Sequence, residues 1–195
     1  MVSQSSGGEE EKGKWRVYVD FTDLNKAGQN DPFSMPRIDQ LVDATVGHHW
    51  MSFLDTFQGY HKIPLALDDQ KKTIFVTPTG NYHYNVMPFG LKNAGSTYQM
   101  MMTRMFEPQP GKSIKVYIDD MVVKIKVVSE YMGNLENIFE ILKRHKLCLN
   151  ASKCSFGVGS GKFLGYMVTH RGIKVNLDQI RAINNLQPPQ NPKEV

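Results

Sequence analysis

Three aspartates sit where acids are costly. Asp55 ends the mostly apolar stretch WMSFLD, and Asp119 and Asp120 interrupt the run VYIDDMVV. A carboxylate held among apolar neighbours is unfavourable unless it is paired or bound to a cation, and adjacent aspartates repel unless positive charge lies between them. A divalent metal answers all three problems at once. Mg2+ is held by one or two carboxylates plus substrate phosphates rather than by a full protein cage, so one aspartate on a strand and a pair on a neighbouring hairpin suffice for phosphoryl chemistry. By residue type alone a second reading stays open, with Asp119-Asp120 a polar turn and Asp55 a strand-end cap.

The elements that must position these acids can be read from periodicity and turn signals. WRVYVDF alternates like a strand, a polar loop follows, and Pro36 opens a helix, PRIDQLVDATV, with Ile38, Leu41 and Val42 on one face. Residues 49–55 are a dense apolar strand, and VTPTGNYHYNV reads as a hairpin. A helix is expected over residues 94–106, its Tyr98, Met101, Met102 and Met105 at core spacing. The runs VYI and MVV around the aspartate pair predict a tight hairpin with the acids at its tip. An amphipathic helix over about 129–146 turns Met132, Leu135, Phe139 and Leu142 inward; KFLGYMV reads as a strand, HRG as a turn, and NLDQIRAINNL as a helix capped by Asn176. Sheet and helices are intermixed without strict alternation, which gives an α+β class.

The chain has 195 residues, 41% hydrophobic and 22% charged, enough to bury a core as one domain. Residues 1–13 are rich in Ser, Gly and Glu and are expected to be a disordered leader. No run reaches the roughly 18–20 apolar residues of a membrane helix, and the first residues lack a secretory signal's order, so an intracellular, reducing setting without a membrane is expected. Cys148 and Cys154, without partners at metal-ligand spacing, read as small apolar fillers. Charge is uneven. Residues 1–110 carry 10 Lys and Arg against 12 Asp and Glu, whereas residues 111–174 carry 11 against 5. The basic second half suits a polyanion such as nucleic acid or, equally simply, a solvated basic face.

YIDD at 117–120 resembles the Tyr-x-Asp-Asp box of reverse transcriptases. KWRVYVDFTDLNK, PRIDQLVDAT, FLDTFQGYHKI, YNVMPFGLKNAGSTYQ, LNASKC and GKFLGYMVT resemble, in the same order, blocks of the Ty3/gypsy class of long-terminal-repeat retrotransposons. The resemblance runs from about Lys14 to the C-terminus. It implies a right-hand polymerase fold: a palm with an antiparallel sheet packed on helices, plus partial fingers, over 14–175, and the start of a thumb or connection region over 176–195, where the chain is cut short. It also implies an RNA-directed DNA polymerase, a nucleotidyltransferase that works on an RNA or DNA template-primer with dNTPs. The ribonuclease H and integrase regions of a polyprotein would lie elsewhere. A cytoplasmic or particle-associated location follows from the same source, with the nucleus the other compartment.

Carried over by position, Asp55, Asp119 and Asp120 match the catalytic triad and the ligands of two Mg2+ ions, with Mn2+ the alternative. Tyr60 matches the ring beneath the nucleotide sugar that excludes a 2′-hydroxyl. Lys14 and Arg16 match finger cations on the triphosphate, Phe89 and Gly90 the nucleotide pocket, and Gln99 a residue facing the template. Phe163, Leu164, Gly165 and Tyr166 match the hairpin that grips the primer, and Lys153 lies in a block near the active site. Glu9, Glu10 and Glu11 depart from the lysines usual there, and Gln58 and Gly95-Ser96 are milder departures. With the acidic leader and the missing first finger strands, these leave the alternative of an inactive transposon-derived fragment that at most binds nucleic acid.

Overall fold

A computed structural model of the chain describes residues 3–9, 15–107, 113–125, 127–174 and 177–185. Strands β1 (Ser3–Glu9) and β2 (Trp15–Val19) pair antiparallel. Short helices α1 (Thr22–Ala27) and α2 (Ile38–Asp43) lead into β3 (Trp50–Phe57). After α3 (Leu67–Gln70) comes the hairpin of β4 (Phe75–Thr77) and β5 (Gly80–Tyr82), which joins the first pair in a sheet of order β2-β1-β4-β5. The disorder expected of the leader gives way over Ser3–Glu9 to an interior strand of that sheet. Low apolar content misleads here because a Ser/Gly strand is held by its backbone ladder, and β2 and β4 would otherwise each keep an open edge.

Helix α4 (Ala94–Phe106) is followed by the hairpin β6 (Ile114–Tyr117) and β7 (Asp120–Ile125), then helix α5 (Tyr131–Arg144). With β8 (Cys148–Leu149) and β9 (Ser155–Val158) on the far side of β3, these strands form the central antiparallel sheet, in which β3 lies next to β7. Period-two alternation splits its side chains between two cores. Leu54, Met121, Val123 and Ile125 face α4 and α5, meeting Tyr98, Met102, Leu135, Ile138 and Leu142. Met51, Phe53 and Val122 face the other way, toward Val42, Phe163 and Val168. That second face is covered by the three-stranded unit β10 (Ser160–Phe163), β11 (Tyr166–Thr169) and β12 (Gly172–Lys174), after which comes α6 (Leu177–Asn184). No helix among the described residues is long and apolar enough to cross a membrane.

Several local expectations shift. KFLGYMV is a hairpin, with Leu164-Gly165 as the turn between paired Phe163 and Tyr166. The inner stripe of α5 is Leu135, Ile138, Ile141 and Leu142, while Met132 is 61% exposed and Phe139 packs sideways on the Phe156 ring. Helix α2 begins two residues after Pro36 and leaves Ile38 exposed. Cys148 is exposed and fills nothing, whereas Cys154 packs against the larger core. The expected cap Asn176 lies outside the described residues.

Candidate active site

Strand pairing brings the aspartates together. Asp55 stands directly across from Asp120 in the β3–β7 register, and pairing of Tyr117 with Asp120 leaves Ile118-Asp119 as a two-residue turn. The Thr56 amide donates to the Asp119 carbonyl at 3.0 Å and ties the turn to β3. Ile118 takes φ +52°, a left-handed conformation costly for a β-branched residue. Such a turn must be held from outside, and Gln99 of α4 holds it. Its Oε1 accepts from the Ile118 amide at 2.6 Å, and its Nε2 donates to the Val116 carbonyl at 3.1 Å. Gln99 is 1% exposed, which corrects its expected place facing the template: it is a bracket beneath the acids.

The charges are crowded. The Asp55 side chain is 18% exposed, and its Oδ2 meets Lys153 Nζ at 3.3 Å. Its carbonyl accepts from the Asn150 amide at 2.9 Å. Asp119 Oδ1 accepts from the Thr56 hydroxyl at 2.7 Å, and that hydroxyl is 3.0 Å from the buried Tyr98 hydroxyl. Partial burial pushes the Asp119 carboxyl above its ordinary range, against the pull of the Thr56 bond and with the push of Asp55. Asp120 is raised by desolvation and then by the charges of Asp55 and Asp119. Three crowded carboxylates, two of them disfavoured in their ionised form, suit a divalent cation, which would reverse the shifts of Asp119 and Asp120. Among the described residues no group of three or more His, Cys, Asp or Glu side chains is placed to hold a metal ion by itself, and Mg2+ needs only one or two carboxylates when phosphate and water supply its other ligands.

On one side of the acids lies an aromatic platform. Tyr60 stacks on Tyr98 with centroids 4.9 Å apart, and Phe89 tilts against Tyr60 at 5.0 Å. Burial and the Asp119 charge raise the Tyr60 phenol. Gly90, at φ +93°, turns the loop after Phe89, and Asn25 of α1 clamps that loop by donating to the Gly90 carbonyl and accepting from the Lys92 amide, each at 2.8 Å. Gly59 is required beneath the platform, since a Cβ there would lie 2.0 Å from the Tyr98 hydroxyl oxygen. Gly59→Ala is expected to cost about 1–3 kcal/mol by overpacking, read as a lower urea midpoint; an unchanged midpoint would show that Tyr98 yields freely.

On the other side a cleft of about 250 Å3 is lined by Asp55, Asp120, Lys153, Lys162, Phe163 and Leu164, among others. Leu164 (φ +50°) and Gly165 (φ +86°) are both left-handed, the backbone of a tight hairpin turn whose twist suits its strands. Phe163 is buried in the second core, so the expected gripping surface reduces to the turn itself and the exposed Tyr166. Gly161 lets β10 lie on the Phe53 ring, where a Cβ would come within 2.2 Å. Arg16 lies on β2, and Lys14 lies outside the described residues.

Thr56, Tyr98, Gly59 and Asn25 escaped the sequence reading. Nothing beside Thr56 in the sequence marks its side chain, and Tyr98 belongs to the core-spaced stripe of α4. The one available signal was a hydroxyl at each of two positions that come together only in three dimensions.

Residues 5–168 match the family described as reverse transcriptase (RNA-dependent DNA polymerase). The chain is 32% identical, over 93% of its length, to a retrovirus-related Pol polyprotein from transposon 297 of Drosophila melanogaster, and spans 17% of that protein. It is 28% identical, over 94% of its length, to the transposon Tf2-3 polyprotein of Schizosaccharomyces pombe, of which it spans 14%. The fold superposes on a foamy viral protease-reverse transcriptase solved in complex with an RNA/DNA hybrid, with a TM-score of 0.83 at 23% identity, covering 100% of this chain and 26% of that one.

Proposed function

We propose, for a chain that belongs to the reverse transcriptase (RNA-dependent DNA polymerase) family of retrotransposon polyproteins, that it adds deoxyribonucleotides to a primer 3′-hydroxyl on an RNA or DNA template. The observation that carries this reading is the meeting of Asp55, Asp119 and Asp120 between an aromatic platform and a cleft. Asp55 and Asp119 would hold the divalent ions, with Asp120 on the exposed side of the pair. Bound there, two such cations would supply the positive charge that activates the primer hydroxyl and offsets charge building on the triphosphate.

The chain's own residues account for the rest. Tyr60 would lie under the nucleotide sugar and its ring would exclude a 2′-hydroxyl, with Phe89 and the Gly90 turn bordering the same pocket, a reading supported by the contact of Tyr60 with Phe89 beside the acids. The Leu164-Gly165 turn lines the same cleft as Asp120, with Tyr166 following it at the start of β11, which supports reading this hairpin as the element that would grip a primer end. Lys153 offsets the Asp55 charge. The hybrid held by the foamy viral enzyme is the model for the template-primer this chain would take, and the basic stretch over 111–174 suits its phosphates.

Primer extension with Mg2+, with Asp119→Asn as the control, tests the proposal. Extension by the parent that is lost in the variant supports it. Retention of nucleic-acid binding without extension would instead give the inactive-fragment reading. Tyr60→Val should admit ribonucleotides, with discrimination falling by the equivalent of about 1–3 kcal/mol. Equal rejection of ribonucleotides by variant and parent removes Tyr60 from the sugar pocket.

A further inference from the structure

We propose that Tyr98 is a shared support: its hydroxyl, directly and through Thr56, orients the Asp119 carboxylate for a divalent cation, and its ring is the floor under Tyr60, so that one buried residue links metal binding to sugar selection. The inference rests on the polymerase reading above. It assigns to Tyr98 and Thr56 a positioning role, since neither touches the reacting atoms.

The chain of hydroxyls has a defined direction. An ionised Asp119 has no proton to give, so the Thr56 hydroxyl donates to its Oδ1 across 2.7 Å. The Tyr98 hydroxyl lies 3.0 Å from the Thr56 oxygen and also interacts with the Asp119 carboxylate itself, so its one proton serves these two acceptors and Tyr98 supports Asp119 both directly and through Thr56. Strand alternation explains why a relay is needed: Thr56 points toward α4 while Asp55 and Asp120 lie on the opposite face, and Asp119 in the turn joins the two sides. Because Thr56 is 4% exposed, water cannot readily replace either bond.

The same phenol ring lies 4.9 Å from the Tyr60 ring at an interplanar angle of 26°. Tyr60 is therefore fixed from below by a residue whose other end is bonded toward Asp119. Gly59 is the condition for both contacts, since any side chain there would occupy the place of the Tyr98 hydroxyl.

Removing the hydroxyl and removing the ring should have separable effects. Mn2+ titration of the protein without nucleic acid, followed by electron paramagnetic resonance, reads the metal; single-nucleotide incorporation of matched deoxy- and ribonucleotides reads the sugar. Tyr98→Phe and Thr56→Val should each weaken Mn2+ binding about threefold to tenfold, the order of one hydrogen bond's net contribution, and leave the ribo/deoxy ratio at the parent value. Tyr98→Leu should weaken Mn2+ binding and also raise ribonucleotide use about tenfold. If Tyr98→Leu melts below the assay temperature, Tyr98→Met refills the volume without a ring and carries the same test. Parent-like Mn2+ affinity in Tyr98→Phe and Thr56→Val, while Asp119→Asn binds weakly, overturns the relay. A parent-like sugar ratio in both ringless variants overturns the floor. Equal Mn2+ binding by the parent and Asp119→Asn would instead show that the metal assignment itself is wrong, and the inference falls with it.

Discussion

Asp119→Asn is expected to reduce primer extension about 10³-fold or more while leaving the folded structure intact. The estimate follows from charge: a bound metal contributes several kcal/mol of transition-state stabilisation, and each 1.36 kcal/mol is a factor of ten in rate. Asparagine keeps the shape of the side chain and can still accept the Thr56 hydroxyl bond, so no packing contact is lost. The carboxylate it replaces is partly buried and pushed by Asp55, which makes its ionised form unfavourable in the absence of a cation. Removing it should therefore leave the thermal midpoint unchanged or slightly raised. Asp55→Asn should be as damaging to the rate, although it also breaks the contact with Lys153. Undiminished extension by both variants in a Mg2+ assay would sink the assignment of the acids.

Gln99→Leu should have the largest effect on stability of any change near the site. Leucine leaves the Ile118 amide and the Val116 carbonyl buried without the partners Gln99 now provides. Each such loss costs about 1–3 kcal/mol, so a combined fall of roughly 2–6 kcal/mol in urea unfolding is expected. The rate per folded molecule should fall too. With the bracket gone, Ile118 can relax from its left-handed conformation and carry Asp119 with it, and a misplacement of about 1 Å is worth up to about 10²-fold in rate. Gln99→Glu keeps the acceptor for the Ile118 amide but sets a buried carboxylate oxygen against the Val116 carbonyl, so it should not restore parental stability. A leucine variant with parental stability and rate would mean that the turn holds its shape unaided.

The contrast between Gln99 and the aspartates shows what the sequence made legible. Acids inside apolar runs are conspicuous because their cost is local, and the runs on either side of Asp119-Asp120 announce the hairpin, although its turn falls one residue earlier, at Ile118-Asp119, with Asp120 already on β7. Helix α4 was bounded correctly from its periodicity. Gln99 and Thr56 were opaque for the opposite reason. A buried polar side chain is recognised by its partner, and here the partners are the backbone of a turn 19 residues further along the chain and a carboxylate 63 residues away. The strand Ser3–Glu9 was missed because its stability resides in main-chain bonds that composition does not record. The inward face of α5 was misassigned at Met132 and Phe139 because apolar residues surround more of that helix than the core uses.

The alternation along β3 makes correct folding and competence the same event. A slip of one residue against β7 would exchange Asp55 and Thr56 between the two faces of the sheet, sending a carboxylate into the methionine- and tyrosine-lined interior and a hydroxyl into the cleft. No misregistered molecule could retain partial function while passing as folded. Preparations of uneven quality should accordingly differ in the number of working molecules and not in the turnover of each, so that active-site titration and the native near-ultraviolet signal rise and fall together.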